Sequence, residues 1–150
     1  YYDYSLENME NIFFILNNLL KKKNFQLVII PSMRTPKNTI EHAKKYFGKN
    51  HTIIDNVDKK AYLSALSISN SVVVTCDSSS MISEAALTGK PIYVANILPR
   101  KNDKRFQKFR NLFSELNIIR NLGEDDENWN YQKLDETNRV AQIIKQKINL

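Results

Sequence analysis

The 150-residue chain has the length of one ordinary domain, and 42% hydrophobic residues mark it as folded rather than disordered. Its 22 lysines and arginines against 16 acids leave a net charge of +6, a mild attraction for anions. The longest apolar run, residues 12–16, is too short to span a bilayer, and one cysteine with two histidines excludes an internal disulfide and a structural zinc site.

No secretory leader is legible, because no basic start precedes a long apolar stretch. A lone cysteine fits a reducing compartment, so the expected location is cytoplasmic, at the inner face of a membrane. Beginning at Tyr1 rather than Met, the chain reads as a piece of something longer.

Ser5 is placed to cap a first helix whose apolar positions Leu6, Met9, Phe13, Leu16 and Leu20 recur every three or four residues. Lys21, Lys22 and Lys23 close it, and most of the positive charge reads as such solubilising surface. Residues 26–30, QLVII, read as a buried strand. Thr35-Pro36 then offers a hydroxyl cap followed by proline at the first helical position, with Ile40, Ala43 and Phe47 inward and Gly48 as the stop.

The cycle repeats. HTIID (51–55) is a short strand, Asp58 caps a helix to about Ile68, and SVVVTC (71–76) is a third strand. A helix follows, then PIYVA (91–95), then an amphipathic basic helix over about 103–116. The acidic loop 124–127 separates this from a last helix carrying Val140, Ile144 and Ile148. Strands without polar alternation, each followed by a helix, predict an α/β fold: a Rossmann-like parallel sheet with helices on both faces.

Ligands of such sheets bind outside the carboxyl ends of the strands. Four loops leave those ends, at 32–36, 55–58, 77–80 and 96–103, and small polar or charged residues crowd all of them.

The third loop, in VTCDSSSMISEAALTGKPIYV, carries the chemistry. A helix start exposes unpaired N–H groups and a dipole that favours an anion, and Ser78, Ser79 and Ser80 are small enough to admit a phosphate. The plainer alternative has one serine capping and the others filling a turn. Glu84 cannot complete a capping box, since Met81 stands three residues before it. With Ser80 as cap, Glu84 lies one turn on, where its carboxylate reaches both hydroxyls of a ribose; a solvent-exposed surface glutamate is the alternative. Three glycines in the whole chain exclude both a GxGxxG and a Walker A loop.

The stretch 72–94 and SMRTP (32–36) resemble the mitochondrial fission ELM-like family of proposed glycosyltransferases. Ser32, Arg34, Thr35 and Pro36 match a Ser-Arg-Arg-Thr-Pro-like motif in which Met33 replaces an arginine. Thr75, Asp77, Ser78, Ser80, Met81, Ser83, Glu84, Ala85, Thr88, Gly89, Lys90 and Pro91 match a second motif. An Asn-Pro-Tyr-like element corresponds to Asn56-Val57 with the proline lost, and KRFQKFRNLF and Arg120 extend the likeness over residues 26–120.

The resemblance implies the C-terminal half of a GT-B fold, a single nucleotide-sugar-binding domain whose N-terminal acceptor domain is absent from this chain. It implies a donor set of Arg34, Thr35, Asp77, Ser78, Ser79, Ser80, Met81 and Glu84. Glu84 takes the ribose, the serines meet phosphate, and Arg34 and Thr35 complete the diphosphate grip. The donor is a nucleoside diphosphate sugar, UDP-linked, with no cofactor and no metal. No catalytic residue is assigned, and the isolated domain is expected to be inactive.

A UDP-sugar 2-epimerase is a rival, although Ser79-Ser80 lacks the two glycines usual in that turn. The non-enzyme rival is an interaction module, since plant members are associated with recruiting a dynamin-like fission protein to mitochondria. Other signals carry less. The run 100–110 is expected to pack Phe106 and Phe109 inward with its bases toward solvent or the cleft, not to bind nucleic acid; membrane contact is expected only through the acceptor. His42 and His51 read as surface residues, and Cys76 as a small core residue.

Overall fold

A computed structural model of the protein describes residues 2–124 and 127–135, together with 144 and 146. Helix α1 (Leu6–Lys23) starts where Ser5 Oγ accepts from the Asn8 amide at 3.5 Å, and it ends at Asn24 in the left-handed conformation. Its inward stripe is Met9, Ile12, Phe13, Leu16, Leu19 and Leu20; Leu6, expected in that stripe, is exposed at the first helical position.

Strand β1 (Val28–Ile29) is followed by α2 (Lys37–Phe47), β2 (Thr52–Ile53) and α3 (Lys59–Ile68). Asp58 caps α3 as expected, its carboxylate accepting from the Ala61 amide at 2.9 Å. The α2 start differs from expectation by one residue. Pro36 holds the cap position, and Thr35 Oγ1 turns back to accept from the Ser32 amide at 2.9 Å. A hydroxyl that bonds its own turn is unavailable to the helix.

The second half runs β3 (Val72–Thr75), α4 (Ser79–Ala86), β4 (Ile92–Ala95), α5 (Lys104–Glu115) and β5 (Ile119–Asn121). The last strand was not anticipated. Its signal is the pair Ile118-Ile119, buried just after Asn117 reverses the chain at φ 58°.

All strand pairs are parallel, as expected when each strand is followed by a helix. β4 is central in the order β3-β4-β5, and all four of its residues are buried, which explains why its sequence shows no alternation. The first two strands form a separate pair, Val28 opposite Thr52 and Ile29 opposite Ile53. The architecture is thus an α/β, Rossmann-like arrangement in which the parallel strands fall into two small sheets. A cavity of 560 Å³ lies between β1 and β3, lined mainly by apolar side chains.

Most of the core is one cluster in which α1 and α2 meet the inner faces of α4, β3 and β4. Phe13 stacks on the edge of Phe47 at 5.3 Å, and α2 closes the same side through Ala43. The two histidines are more enclosed than expected. His51 Nδ1 accepts from the Leu27 amide at 3.1 Å and so completes the β1 edge. His42 lies 5.4 Å from the Phe13 ring, with Nε2 3.6 Å from a Glu10 carboxylate oxygen, too far for a hydrogen bond.

Much of the acidic loop and the predicted last helix, including Val140 and Ile148, lie outside the described residues; Ile144 is helical and half exposed. Among the described residues no helix is long and apolar enough to cross a membrane.

Candidate functional site

The chain leaves β3 at Thr75, turns through Cys76 and Asp77, and enters α4 with Ser78 in the cap position. The cap is therefore two residues earlier than the expected Ser80, because the Ser78 amide closes a tight turn on the Thr75 carbonyl at 3.2 Å. Ser79 and Ser80 become the first two helical residues, the former half-buried and the latter exposed. No side-chain hydrogen bond caps this helix, so its first-turn amides keep their affinity for an anion. Ile82, Ala85 and Ala86 face the core and Met81 packs on its edge.

Thr35, Ser78 and Met81 line one cavity, together with Ser32 and Tyr62. The β1 loop and the start of α4 therefore meet across the mouth between β1 and β3. Arg34 and Met33 are exposed in that loop, with the Arg34 amide donating to Ser32 Oγ at 3.3 Å. Asn56 and Val57, after β2, are exposed as well.

Glu84 lies on the exposed side of α4, one turn beyond Ser80. It has a partner that sequence reasoning missed: the Tyr62 hydroxyl of α3 donates to Glu84 Oε2 at 2.7 Å. Nothing local in the sequence signals a contact between residues on two helices.

Asp77 behaves differently from its neighbours. It is buried, and its Oδ2 accepts from the Tyr4 hydroxyl at 2.7 Å while Oδ1 has no partner among the described residues. Tyr4 belongs to an N-terminal strap laid over the fourth rim loop. Tyr2 bridges Pro99, the Asp3 amide donates to the Leu98 carbonyl at 2.8 Å, and Arg100 pairs with Asp3 at 2.9 Å. Beside it, Arg110 donates to the Cys76 carbonyl and to Asp103 Oδ2, both at 3.0 Å. The expectation for this run is bases directed toward solvent or the cleft. Arg110 is instead tucked against the end of β3, while Phe109 stacks on Phe113 at 4.3 Å and packs on the core.

Part of the second motif is structural. Thr88 Oγ1 donates to the Ala85 carbonyl at 2.6 Å and accepts from the Lys90 amide at 3.2 Å. Gly89 sits at φ +71°, and a Cβ there would come within 2.8 Å of Lys133 Cε. Lys90 Nζ donates to the carbonyls of Leu66 and Ser67 at 2.6 Å each, closing the C-terminal end of α3. Arg120 is engaged within the fold, lying 4.3 Å over the Trp129 ring.

Cys76 is buried, and burial pushes its thiol above the usual value, so it is the inert core residue expected. Burial likewise raises the Tyr4 and Tyr62 phenols, each raised further by its carboxylate partner, and pushes Tyr131 up to about 12. In the unfolded chain these groups ionise at their ordinary values of 9.0 and 10.0, so the folded state holds protons that the unfolded state has lost. Their contribution to stability is complete below about pH 9 and is lost as the pH rises beyond it. Thermal midpoints measured from pH 8 to 11 should therefore fall steadily above pH 9; a flat profile would show that these groups are not held protonated.

Among the described residues no cluster of three or more His, Cys, Asp or Glu side chains could hold a metal. The family described as Mitochondrial fission ELM1 matches residues 1–148, a wider span than the motifs alone cover. Mitochondrial fission protein ELM1 of Arabidopsis thaliana is 30% identical over 122 residues, covering 78% of this chain and 28% of that protein. Uncharacterized protein RP120 of Rickettsia prowazekii (strain Madrid E) is 30% identical over 142 residues, covering 87% of this chain and 39% of that protein. The chain thus spans well under half the length of either relative, and no solved structure matches it. Taken with the two motifs that frame the mouth between β1 and β3, a match over nearly every residue shows that the chain belongs to the mitochondrial fission ELM1 family.

Proposed function

We propose that this chain is the donor-binding domain of a GT-B glycosyltransferase, holding a nucleoside diphosphate sugar whose sugar passes to an acceptor bound elsewhere in the full protein. The observation that carries this reading is the α4 start: three serines on a helix without a side-chain cap, with an exposed Glu84 one turn beyond Ser80. The diphosphate would lie against the amides and hydroxyls of Ser78, Ser79 and Ser80. Thr35 faces it across the cavity mouth, and Arg34 supplies a guanidinium from the same loop. Glu84 would accept from the ribose hydroxyls, and Met81 forms an apolar edge. Asp77, already held by Tyr4, shapes the turn beneath the phosphates. Transfer needs the base and acceptor site of another domain, so this chain alone binds without turnover.

Titrating UDP, GDP and CMP against the chain by NMR should reveal weak binding of one nucleotide. Glu84→Ala should lower that affinity at least tenfold while the thermal midpoint stays within a few degrees. Glu84 is exposed, so its loss removes a ligand group without opening the core. Absence of binding by all three nucleotides would end the donor-site reading for this domain.

One observation favours a second reading, the name of the Arabidopsis relative, which places that protein in mitochondrial fission. Under that reading the same fold serves as a non-catalytic interaction module. A chain that binds no nucleotide would select it.

A further inference from the structure

We propose that Tyr62 is a positioning residue that fixes the Glu84 carboxylate for a ribose, so that the site selects ribonucleotides over 2′-deoxyribonucleotides. The inference rests on the donor-site reading above and deepens it. Tyr62 occupies the second turn of α3, its backbone amide bonded to the Asp58 carbonyl at 3.0 Å. Asp58 is itself the cap of that helix, so the position of Tyr62 is tied to the helix start. Tyr62 lines the cavity between β1 and β3, and its hydroxyl donates to Glu84 Oε2 at 2.7 Å. The distal end of α3 is anchored to the loop after α4 by Lys90 Nζ on the carbonyls of Leu66 and Ser67. The two helices that carry the pair are therefore linked at a second point.

A glutamate on an exposed helix face samples many rotamers, and a ligand that needs one of them must bear the ordering cost. A tyrosine donating to one oxygen removes that freedom before the ligand arrives. The bond also sets the remaining capacity. An ionised carboxylate accepts at about four lone-pair sites. With one site on Oε2 taken, Oε1 and the free side of Oε2 remain for two neighbouring hydroxyls. A 2′-deoxyribose offers one hydroxyl and leaves the other acceptor unmatched, which marks deoxythymidine-linked sugars as poor donors. The phenol stays protonated across the physiological range because burial and the carboxylate both raise its pKa, so it acts as donor throughout.

The test compares UDP, GDP and CMP with their 2′-deoxy counterparts on the unaltered chain, Tyr62→Phe, Glu84→Gln and the double variant. The unaltered chain should favour the ribonucleotide, and Tyr62→Phe should reduce that preference about three- to tenfold. Affinity for the deoxynucleotide should stay within about twofold, since phosphate contacts are untouched, and Tyr62→Phe should add nothing in a Glu84→Gln background. A preference that survives in Tyr62→Phe overturns the role of Tyr62 and leaves the donor site standing. Equal weakening of both nucleotide series shows a structural role and overturns it too. Binding without any ribose preference in the unaltered chain removes Glu84 and Tyr62 from ribose recognition while keeping the phosphate grip. No binding by the unaltered chain defeats the donor-site reading itself, and this inference with it.

Discussion

Ile82→Ala is expected to lower the stability of the folded chain by about 2–5 kcal/mol, read as a drop in the urea midpoint with an unchanged slope. Ile82 is fully buried on the inner face of α4, within the cluster that joins that helix to β3 and β4. The substitution removes three carbon atoms and leaves a void that close-packed neighbours fill only in part. The α4 helix makes the effect larger than the lost atoms alone. At eight residues it is too short to persist on its own and depends on docking through Ile82, Ala85 and Ala86. Nucleotide affinity should fall along with stability, because the serine turn is positioned by that docking. A cost below about 1 kcal/mol would mean that α4 is not held against the sheet as described.

Arg110→Ala should cost about 2–4 kcal/mol, unusually much for a residue drawn from a basic surface run. Its side chain is 14% exposed, and the guanidinium bonds at once to the Cys76 carbonyl at the end of β3 and to Asp103 at the start of α5. Removing it strands the carboxylate of Asp103, whose side chain is 19% exposed, and leaves a strand-end carbonyl without that donor. Tyr2 stays within 3.3 Å of the same carboxylate oxygen and supplies partial compensation. Arg110→Lys preserves the charge but not the planar fork, so it should recover less than half of the loss. Chemical unfolding of both variants distinguishes this from a surface charge, for which each would lie within about 0.5 kcal/mol of the parent.

Arg110 also shows where a sequence stops being informative. In the run 100–110 every base looks alike, since charge and helical spacing assign a side chain to a face but not to a carbonyl 34 positions away. Lys104, Arg105 and Lys108 do face outward. Tyr62 was invisible for the same reason: its bond to Glu84 joins two helices whose relative placement depends on both sheets.

The order of the first four strands and of α1 to α5, their parallel sense, the inner face of α2 and that of α1 apart from Leu6 were determined by the sequence alone. Periodicity, capping residues and unbroken apolar runs are local signals, and each acts within a turn or two of chain. The two family motifs were equally legible, as was the failure of Glu84 to fit a capping box. The tertiary structure decided what each motif residue does. It moved the α4 cap to Ser78, turned Thr35 back on Ser32, buried Asp77 under Tyr4 and gave Lys90 to the end of α3. It also divided the strands into two small sheets and added β5. Those outcomes depend on contacts between residues far apart in the chain, and only packing brings such residues together.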